Sequence, residues 1–137
     1  MPYIPDPSPF HRVVVYYQTQ IYKDANGNNQ YLSPAPLKSL ATHLIIAAFH
    51  LNAGASDSDP KTITLNNLSP DDSTLTQMWI DVARLQGSGV KIMGMLGGWG
   101  EKSYQDLTTD FDDYYALVSS CIKAWVVTLH SLWNPGN

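Results

Sequence analysis

Three apolar runs with little polar alternation divide the chain, and each is typical of a strand buried on both faces. These predicted strands are residues 12–17 (RVVVYY), 43–51 (HLIIAAFHL) and 90–96 (VKIMGML). Apolar positions recur at helical spacing in residues 71–86 and again from Thr109 onward. The alternation of strands and helices predicts an α/β fold with a parallel sheet and right-handed crossovers.

The segments between these runs carry weaker signals. Residues 23–36 are predicted to be a loop, with a tight turn at Asn26-Gly27, and residues 37–40 a single helical turn. Residues 61–65 are predicted to form a short edge strand. The last helix is expected to end near residue 124, although a short β segment over residues 126–129 is an alternative.

Composition excludes several classes of protein. The chain has 137 residues, which predicts one domain, and its net charge of -4 gives no reason to expect nucleic acid or an anionic membrane as a partner. No apolar run reaches the roughly 18 residues of a membrane span. The proline-rich residues 1–11 form an irregular lead-in without the apolar core of a secretory signal, so the cytoplasm is the default location.

Neither a metal nor a cofactor is expected from the sequence. Cys121 is the single cysteine and falls on the apolar side of the last predicted helix, which is typical of a core thiol. His43 and His50 are seven residues apart on one strand. Alternation predicts that they point to opposite faces, so they are not expected to ligate a metal together.

The glycine-rich end of the third strand, KIMGMLGGWG (91–100), is the most distinctive segment. A nucleotide loop needs G-x-G-x-x-G or Gly-Lys-Ser/Thr spacing, and neither is present here. A tight turn between this strand and the next helix would explain either Gly97 or Gly98, but not both glycines. An α/β nucleotide-binding domain therefore stays open only as an alternative.

Aromatic residues stand at the ends of all three predicted strands. Tyr17 ends the first, Phe49 lies near the end of the second, and Trp99 follows the third. The carboxyl ends of parallel strands share one edge, where aromatic faces suit stacking on a sugar ring. We predict that Tyr17, Phe49 and Trp99, with Gly97 and Gly98, bind the substrate.

Four segments together resemble glycoside hydrolase family 18, and its fungal chitinase-like members in particular. They are VVVYYQTQ, THLIIAAFHLN, QMWIDVARLQGSGVK and KIMGMLGGWG, in this order within residues 12–123. The resemblance implies a partial TIM (β/α) barrel of about three units, the N-terminal part of the family domain. The family has an SxGG motif on the third strand, whereas here Met95 stands in place of the serine.

The resemblance also implies a chemistry, and the residues for it are missing. In the family, a DGxDxDxE motif on the fourth strand supplies the acid, and the substrate's own N-acetyl group acts as nucleophile, with retention. No such motif occurs in this chain: Glu101 is the only glutamate, and no acidic residue follows Asp113. The Asp110, Asp112 and Asp113 run is better explained as a helix N-terminus. We therefore expect no catalytic residue.

The resulting prediction is a truncated chitinase-like hydrolase, inactive as this chain, with chitin or chito-oligosaccharide as its partner. A non-catalytic carbohydrate-binding module of the same family type is the alternative. Residues 124–137 are predicted to be a tail unrelated to the family. Open apolar sheet edges predict self-association.

Overall fold

The computed structural model describes residues 11–52, 62–97, 108 and 110–132, which form six strands and two α-helices. The strands are β1 (Val14–Tyr17), β2 (Ile21–Lys23), β3 (Asn29–Tyr31), β4 (His43–Asn52), β5 (Thr62–Leu65) and β6 (Lys91–Leu96). The α-helices are α1 (Thr76–Gly87) and α2 (Phe111–Leu132), and short 3-10 helices cover Ala35–Ser39 and Ser73–Leu75.

The main sheet is organised around β4. β1 and β6 run parallel to the first half of β4 on its two sides, while β5 pairs antiparallel with its second half. The predicted α/β class with three parallel strands is therefore confirmed, and the described strands form an open sheet. The edge strand predicted at residues 61–65 is present as β5.

One face of this sheet is packed and the other is open. Apolar side chains of all four strands contact α1 and the turn before it, and the centre of this core contains residues less than 2 % exposed: Leu44, Leu65, Leu75, Met78, Val82 and Leu85. On the other face, Val14 and Tyr16 of β1 and Met93 of β6 are exposed. The prediction that the strands are buried on both faces is therefore wrong for the first and the third, since their outward side chains have no described layer above them.

The alternation of side chains along β4 changes phase in mid-strand. Leu44 and Ile46 point into the helix-covered core, and so do Phe49 and Leu51, which are separated from them by an odd number of residues. The shift coincides with an irregularity in the β4–β6 register between Ile46 and Phe49, where the Ala47–Ala48 peptide is cis.

This change of phase corrects the prediction for the two histidines. Because the alternation of side chains changes phase once between them, His43 and His50 lie on the same side of β4, opposite to the core residues. Both are half-buried. They remain seven positions apart along one strand. Within the described residues, no group of three or more His, Cys, Asp or Glu side chains could hold a metal ion.

The segment predicted as a loop, residues 23–36, overlaps a β-hairpin that covers residues 21–31. β2 and β3 pair antiparallel around a turn that Asp24 closes by accepting hydrogen bonds from the backbone N–H groups of Asn26 and Asn28, both at 2.9 Å. The turn signal at Asn26-Gly27 was correct, and Gly27 has the positive φ of 82° that such a turn requires. The polar strands on either side gave no hydrophobic pattern, so the sequence did not reveal them.

A buried carboxylate fastens this hairpin segment to α1. Asp81, 5 % exposed, accepts hydrogen bonds from the Tyr31 hydroxyl (2.9 Å), the Ser33 hydroxyl (2.7 Å) and the Gln77 amide (3.1 Å). Burial alone would raise the pKa of Asp81, but these donors and the positive charge of Arg84 outweigh it, and the pKa is lowered. The ionised form therefore stabilises the contact between hairpin and helix.

The helices and strands lie close to their predicted positions, with differences at the ends. The first predicted strand begins at residue 14 rather than 12, and the third at residue 91 rather than 90. The second begins at residue 43 as predicted and ends at residue 52 rather than 51. The helix predicted over residues 71–86 divides into a 3-10 turn, capped by the Asp72 side chain, and α1. None of the described helices has the length and apolarity needed to cross a bilayer.

The last helix is longer than predicted. α2 continues to Leu132, eight residues beyond the expected end near residue 124, so the alternative β segment over residues 126–129 is wrong. No glycine, proline, asparagine or aspartate interrupts the sequence between Asp113 and Asn134, so nothing stops the helix earlier. Whether residues 124–137 are unrelated to the family stays a prediction.

We expect Asp81→Asn to lower the free energy of unfolding by about 2 kcal/mol at neutral pH, because a buried charge-assisted network is broken. Since the folded-state pKa lies below its ordinary value of 3.8, the contribution is present above that value and is lost as the pH falls through the folded-state pKa. Urea unfolding from neutral to acid pH measures this: the difference between wild type and variant should shrink on acidification.

Asp71→Asn is the matched control, because Asp71 is an exposed carboxylate in the turn before the same helix. It should change the free energy of unfolding by less than about 0.5 kcal/mol. Equal effects of the two substitutions would show that the Asp81 network does not hold the hairpin to α1.

Candidate functional site

The open face of the sheet carries a row of side chains across its three parallel strands. Tyr16 is paired with Ile45, and Ile45 with Met93, so the three residues are neighbours in register. Tyr16 is 58 % exposed and Met93 50 %, while Ile45 is half-buried between them. Neighbouring strands lie about 4.8 Å apart. The row therefore forms a short apolar strip with an aromatic ring at one end.

Two of the predicted substrate-binding aromatics lie on the other face. Tyr17 and Phe49 are only 6 % and 5 % exposed and belong to the core between the sheet and α1. The Tyr17 hydroxyl donates to the Leu32 carbonyl, which ties the end of β1 to the hairpin segment. The structure thus brings Tyr17 and Phe49 together, but in the core and not in an open cleft.

Gly94 within β6 and Gly97 directly after it have distinct local roles. A Cβ atom at Gly94 would lie 3.1 Å from the Phe49 ring, so the absence of a side chain there leaves room for that ring. Gly97 has a φ of 72° and donates its N–H to the Phe49 carbonyl at 2.7 Å, closing the end of the strand. Gly98, Trp99 and Glu101 lie outside the described residues.

A pair of amide side chains joins the carboxyl ends of β1 and β5 to the break in β4. Gln20 donates to the Tyr17 and Ala47 carbonyls at 2.7 and 3.1 Å. Asn66 donates to the Gln18 carbonyl (3.0 Å) and to the Gln20 amide oxygen (2.7 Å), and accepts from the Ala48 N–H (3.1 Å). The pair replaces the ladder bonds that β4 loses where its phase changes.

The other candidate residues, Asp112, Asp113 and Cys121, are explained by their roles in the fold. Asp112 and Asp113 lie in the first turn of α2, as the helix-terminus interpretation predicted. Cys121 is half-buried against the cluster of Leu51, Ile63 and Tyr114, as expected of a core thiol, and burial raises its pKa. A raised pKa leaves the thiol protonated and unreactive.

Two solved structures are similar to this chain. No family model and no curated protein matches it. Among solved structures, chitinase ChiC from Aspergillus fumigatus is 40 % identical with a TM-score of 0.68, covering 83 % of this chain and 40 % of that one. A fungal endo-beta-N-acetylglucosaminidase from glycosyl hydrolase family 18 is 30 % identical with a TM-score of 0.69, covering 85 % of this chain and 41 % of that one.

Identity of 40 % over most of the chain, together with the shared fold, is decisive. The chain belongs to glycoside hydrolase family 18. It spans about two fifths of the length of these two solved structures. The resemblance implied a partial barrel. The open sheet of three parallel strands and the similarity to these two structures confirm it.

Tyr16 is the candidate residue that sequence reasoning missed. In VVVYY two adjacent tyrosines end the strand, and only one of them can point to each face. An unbroken apolar run does not say which one is outward. Side chains alternate between the two faces of a strand. Because Tyr17 packs in the core, its neighbour Tyr16 must face the open side.

We expect the stability contribution of the Tyr17 hydroxyl to disappear in alkali. Burial raises the pKa of Tyr17 from 10.0 to about 12, so the contribution is complete below the lower value and is lost as the pH rises through the upper one. Tyr17→Phe should cost about 1 kcal/mol at neutral pH by losing one hydrogen bond. Urea unfolding at increasing alkaline pH should show this difference diminishing.

Tyr115→Phe is the control, because Tyr115 is 61 % exposed on α2. Its effect on stability should be near zero throughout the same range. A Tyr17→Phe difference that stays constant beyond pH 12 would contradict the assigned burial of the hydroxyl.

Proposed function

We propose that this family 18 chain binds chitin-type carbohydrate on the open face of its sheet and does not hydrolyse it on its own. The observation that carries the proposal is the Tyr16–Ile45–Met93 row, which offers an exposed aromatic face beside an apolar strip. A flat, half-apolar sugar ring is a ligand that such a face accommodates. The names of the two related structures, a chitinase and an endo-beta-N-acetylglucosaminidase, support N-acetylglucosamine polymers as the class.

The inventory of acids supports the proposed absence of turnover. The described acidic side chains with assigned partners serve the fold: Asp24 closes a turn, Asp72 caps a helix and Asp81 holds the hairpin. Hydrolysis in the family uses a glutamic acid on the DGxDxDxE strand, and the 137 residues contain neither that motif nor any glutamate except Glu101. A buried acid beside the sugar is required for protonation of the leaving oxygen.

The predicted binding residues divide into two groups in this proposal. Gly97, Gly98 and Trp99 come directly after β6 in the sequence and remain proposed substrate contacts. Tyr17 and Phe49 are proposed to act indirectly, because their rings fill the core beneath β1 and β6. Tyr16 takes the place of Tyr17 as the proposed stacking residue of β1.

We expect Tyr16→Ala to weaken binding to chitin oligomers about tenfold, because the largest exposed ring of the strip is removed. Isothermal titration with a chitin oligomer measures the dissociation constant. Since Tyr16 is largely exposed, the variant should unfold at nearly the wild-type temperature.

Tyr115→Ala is the matched control, since it removes an equally exposed tyrosine from α2 and should leave binding unchanged. Equal losses in the two variants would rule out the open face as the site. Release of a chromogenic group from an N-acetylglucosamine oligomer, above that of a Glu101→Gln variant, would refute the absence of catalysis.

We also propose that the chain self-associates through the sheet. Within the described strands, β1 and β6 each pair with β4 alone, so both outer edges present backbone donors and acceptors. Val14 and Met93 expose apolar surface next to these edges. Unprotected edges of this kind pair with other chains.

Met93→Lys should shift the protein toward monomer, because an edge lysine opposes strand pairing. Sedimentation velocity over a range of concentrations measures the distribution. Ile122→Lys, which adds the same charge at an exposed position on α2, should have no such effect. A wild-type protein that is monodisperse and monomeric, with a sharp cooperative melt, would contradict the proposal.

A further inference from the structure

A cavity of about 290 Å³ lies on the helix-covered side of the sheet, between α1 and α2. Three buried side chains of the sheet, Ile46, Phe49 and Ile63, form its floor. Trp79 of α1 and Val118 of α2 contribute to its walls. Protein interiors are close-packed and contain few voids larger than a water molecule. A space of this size between two helices is therefore a candidate ligand site.

The cavity lies between two parts of the hydrophobic core. The first part is packed between the sheet and α1 and includes Ile46 and Phe49. The second consists of Leu51, Ile63 and Tyr114, with apolar side chains of α2 packed against it. Both parts contribute residues to the lining of the cavity, and no described side chain fills the space between them. A ligand in this space would contact both parts of the core.

The lining of the cavity favours a neutral, apolar ligand. Among the described residues that line it, none is charged, and Gln86 of α1 carries the only side-chain amide. A charged group would lose its hydration here without gaining a partner of opposite charge. Phe49 and Trp79 present aromatic rings, and such rings pack favourably against other rings. The chemistry of the lining therefore points to an aromatic molecule.

The two aromatic side chains of the lining are held in place. The Trp79 indole N–H donates to the Pro70 carbonyl at 2.8 Å, so its polar group is already engaged. The Phe49 ring lies against Gly94, where a Cβ atom would stand only 3.1 Å from it. Binding to side chains that are already ordered costs less conformational entropy than binding to mobile ones.

The mouth of the cavity offers one polar contact. Gln86 and Ile122 both line the cavity and are exposed, so they lie where it opens to solvent. The Gln86 amide can both donate and accept a hydrogen bond. Small-molecule sites are commonly apolar cavities of about 300 Å³ or more with a few polar groups, and they occur between helices. The present cavity matches this description in volume, lining and position.

We propose that this cavity binds a neutral aromatic molecule of two fused rings with a single hydrogen-bonding group. The rings would pack against Phe49 and Trp79, and the polar group would bind Gln86 at the mouth. An apolar cavity of about 150 Å³ holds one benzene ring, so about twice that volume accommodates two fused rings. The site lies on the opposite side of the sheet from Tyr16, and it is independent of the carbohydrate proposal.

The test is a titration of the full chain with 2-naphthol, observed through isoleucine methyl resonances in NMR spectra. Resonances of the isoleucines that line the cavity should shift: Ile46, Ile63, Ile92 and Ile122. Ile45 lies on the open face and Ile21 in the hairpin, so both should stay in place. Shifts confined to Ile45 would overturn the proposal, because the rings would then be stacking on the open face.

Val118→Phe should raise the dissociation constant for 2-naphthol about tenfold, because the added ring occupies the cavity. Isothermal titration measures it. The ligand should also raise the unfolding temperature of the wild type, and that of the variant much less. Val13→Phe is the matched control, since it adds the same ring at a position that is 44 % exposed and outside the cavity. Equal dissociation constants in the two variants would refute the site.

Gln86→Ala tests the polar contact at an exposed position, so it does not endanger folding. The wild type should bind 2-naphthol about fivefold more tightly than naphthalene, the size of one neutral hydrogen bond, and the variant should bind both equally. Asn29→Ala, which removes an exposed amide from the hairpin, should keep the preference. A preference that survives Gln86→Ala would overturn the role of Gln86. Equal affinity for the charged 2-naphthoate would overturn the assignment to a neutral ligand.

Discussion

The pairing of every strand of the main sheet with β4 is the constraint on which the structure depends. β1 and β6 take the first half of this strand and β5 the second, so β4 must present apolar side chains to the helices along its whole length. A regular strand would turn Phe49 and Leu51 to the side opposite Leu44 and Ile46. The irregularity after Ile46 prevents this, and it keeps the buried side chains of both halves of β4 beneath the sheet.

The irregularity in β4 also changes how its backbone polar groups are hydrogen-bonded. Backbone groups at the break cannot all pair within the sheet, and the Gln20 and Asn66 side chains bind the Ala47 carbonyl and the Ala48 N–H there. Unsatisfied groups at such a position would each cost about 1–3 kcal/mol. The same two amides hold together the ends of β1 and β5. A requirement of packing in β4 therefore places a polar cluster at the carboxyl ends of β1 and β5.

The two faces of the sheet explain the distribution of aromatic residues. Tyr17 and Phe49 fill space below the strands, and Gly94 is small because the Phe49 ring lies against it. Tyr16 and Met93 project from the opposite face, where no described helix covers them. The exposed surface of the open face is thus formed by the side chains that the packing against α1 does not use. The buried carboxylate of Asp81 acts on the other side, where it fixes the hairpin relative to α1.

The sequence by itself determined the class of the fold. The apolar runs of β1, β4 and β6, the helical spacing of α1 and the order of these elements follow from local periodicity, which a single sequence contains. The same runs together carried the resemblance to the family. Asn26-Gly27 gave the hairpin turn through its backbone preference, although the short polar strands around it had no periodic signal.

Only the tertiary structure decided which side of each strand is buried. An unbroken run such as VVVYY offers apolar residues to both faces, so the choice between Tyr16 and Tyr17 depends on where the helices pack. The phase change in β4 is equally invisible in HLIIAAFHL, because it depends on the register with β6 and on the amides of Gln20 and Asn66, which are 27 and 18 residues away along the chain. Local patterns fix which elements form, whereas the side chains that reach a ligand are set by contacts between segments distant in the chain.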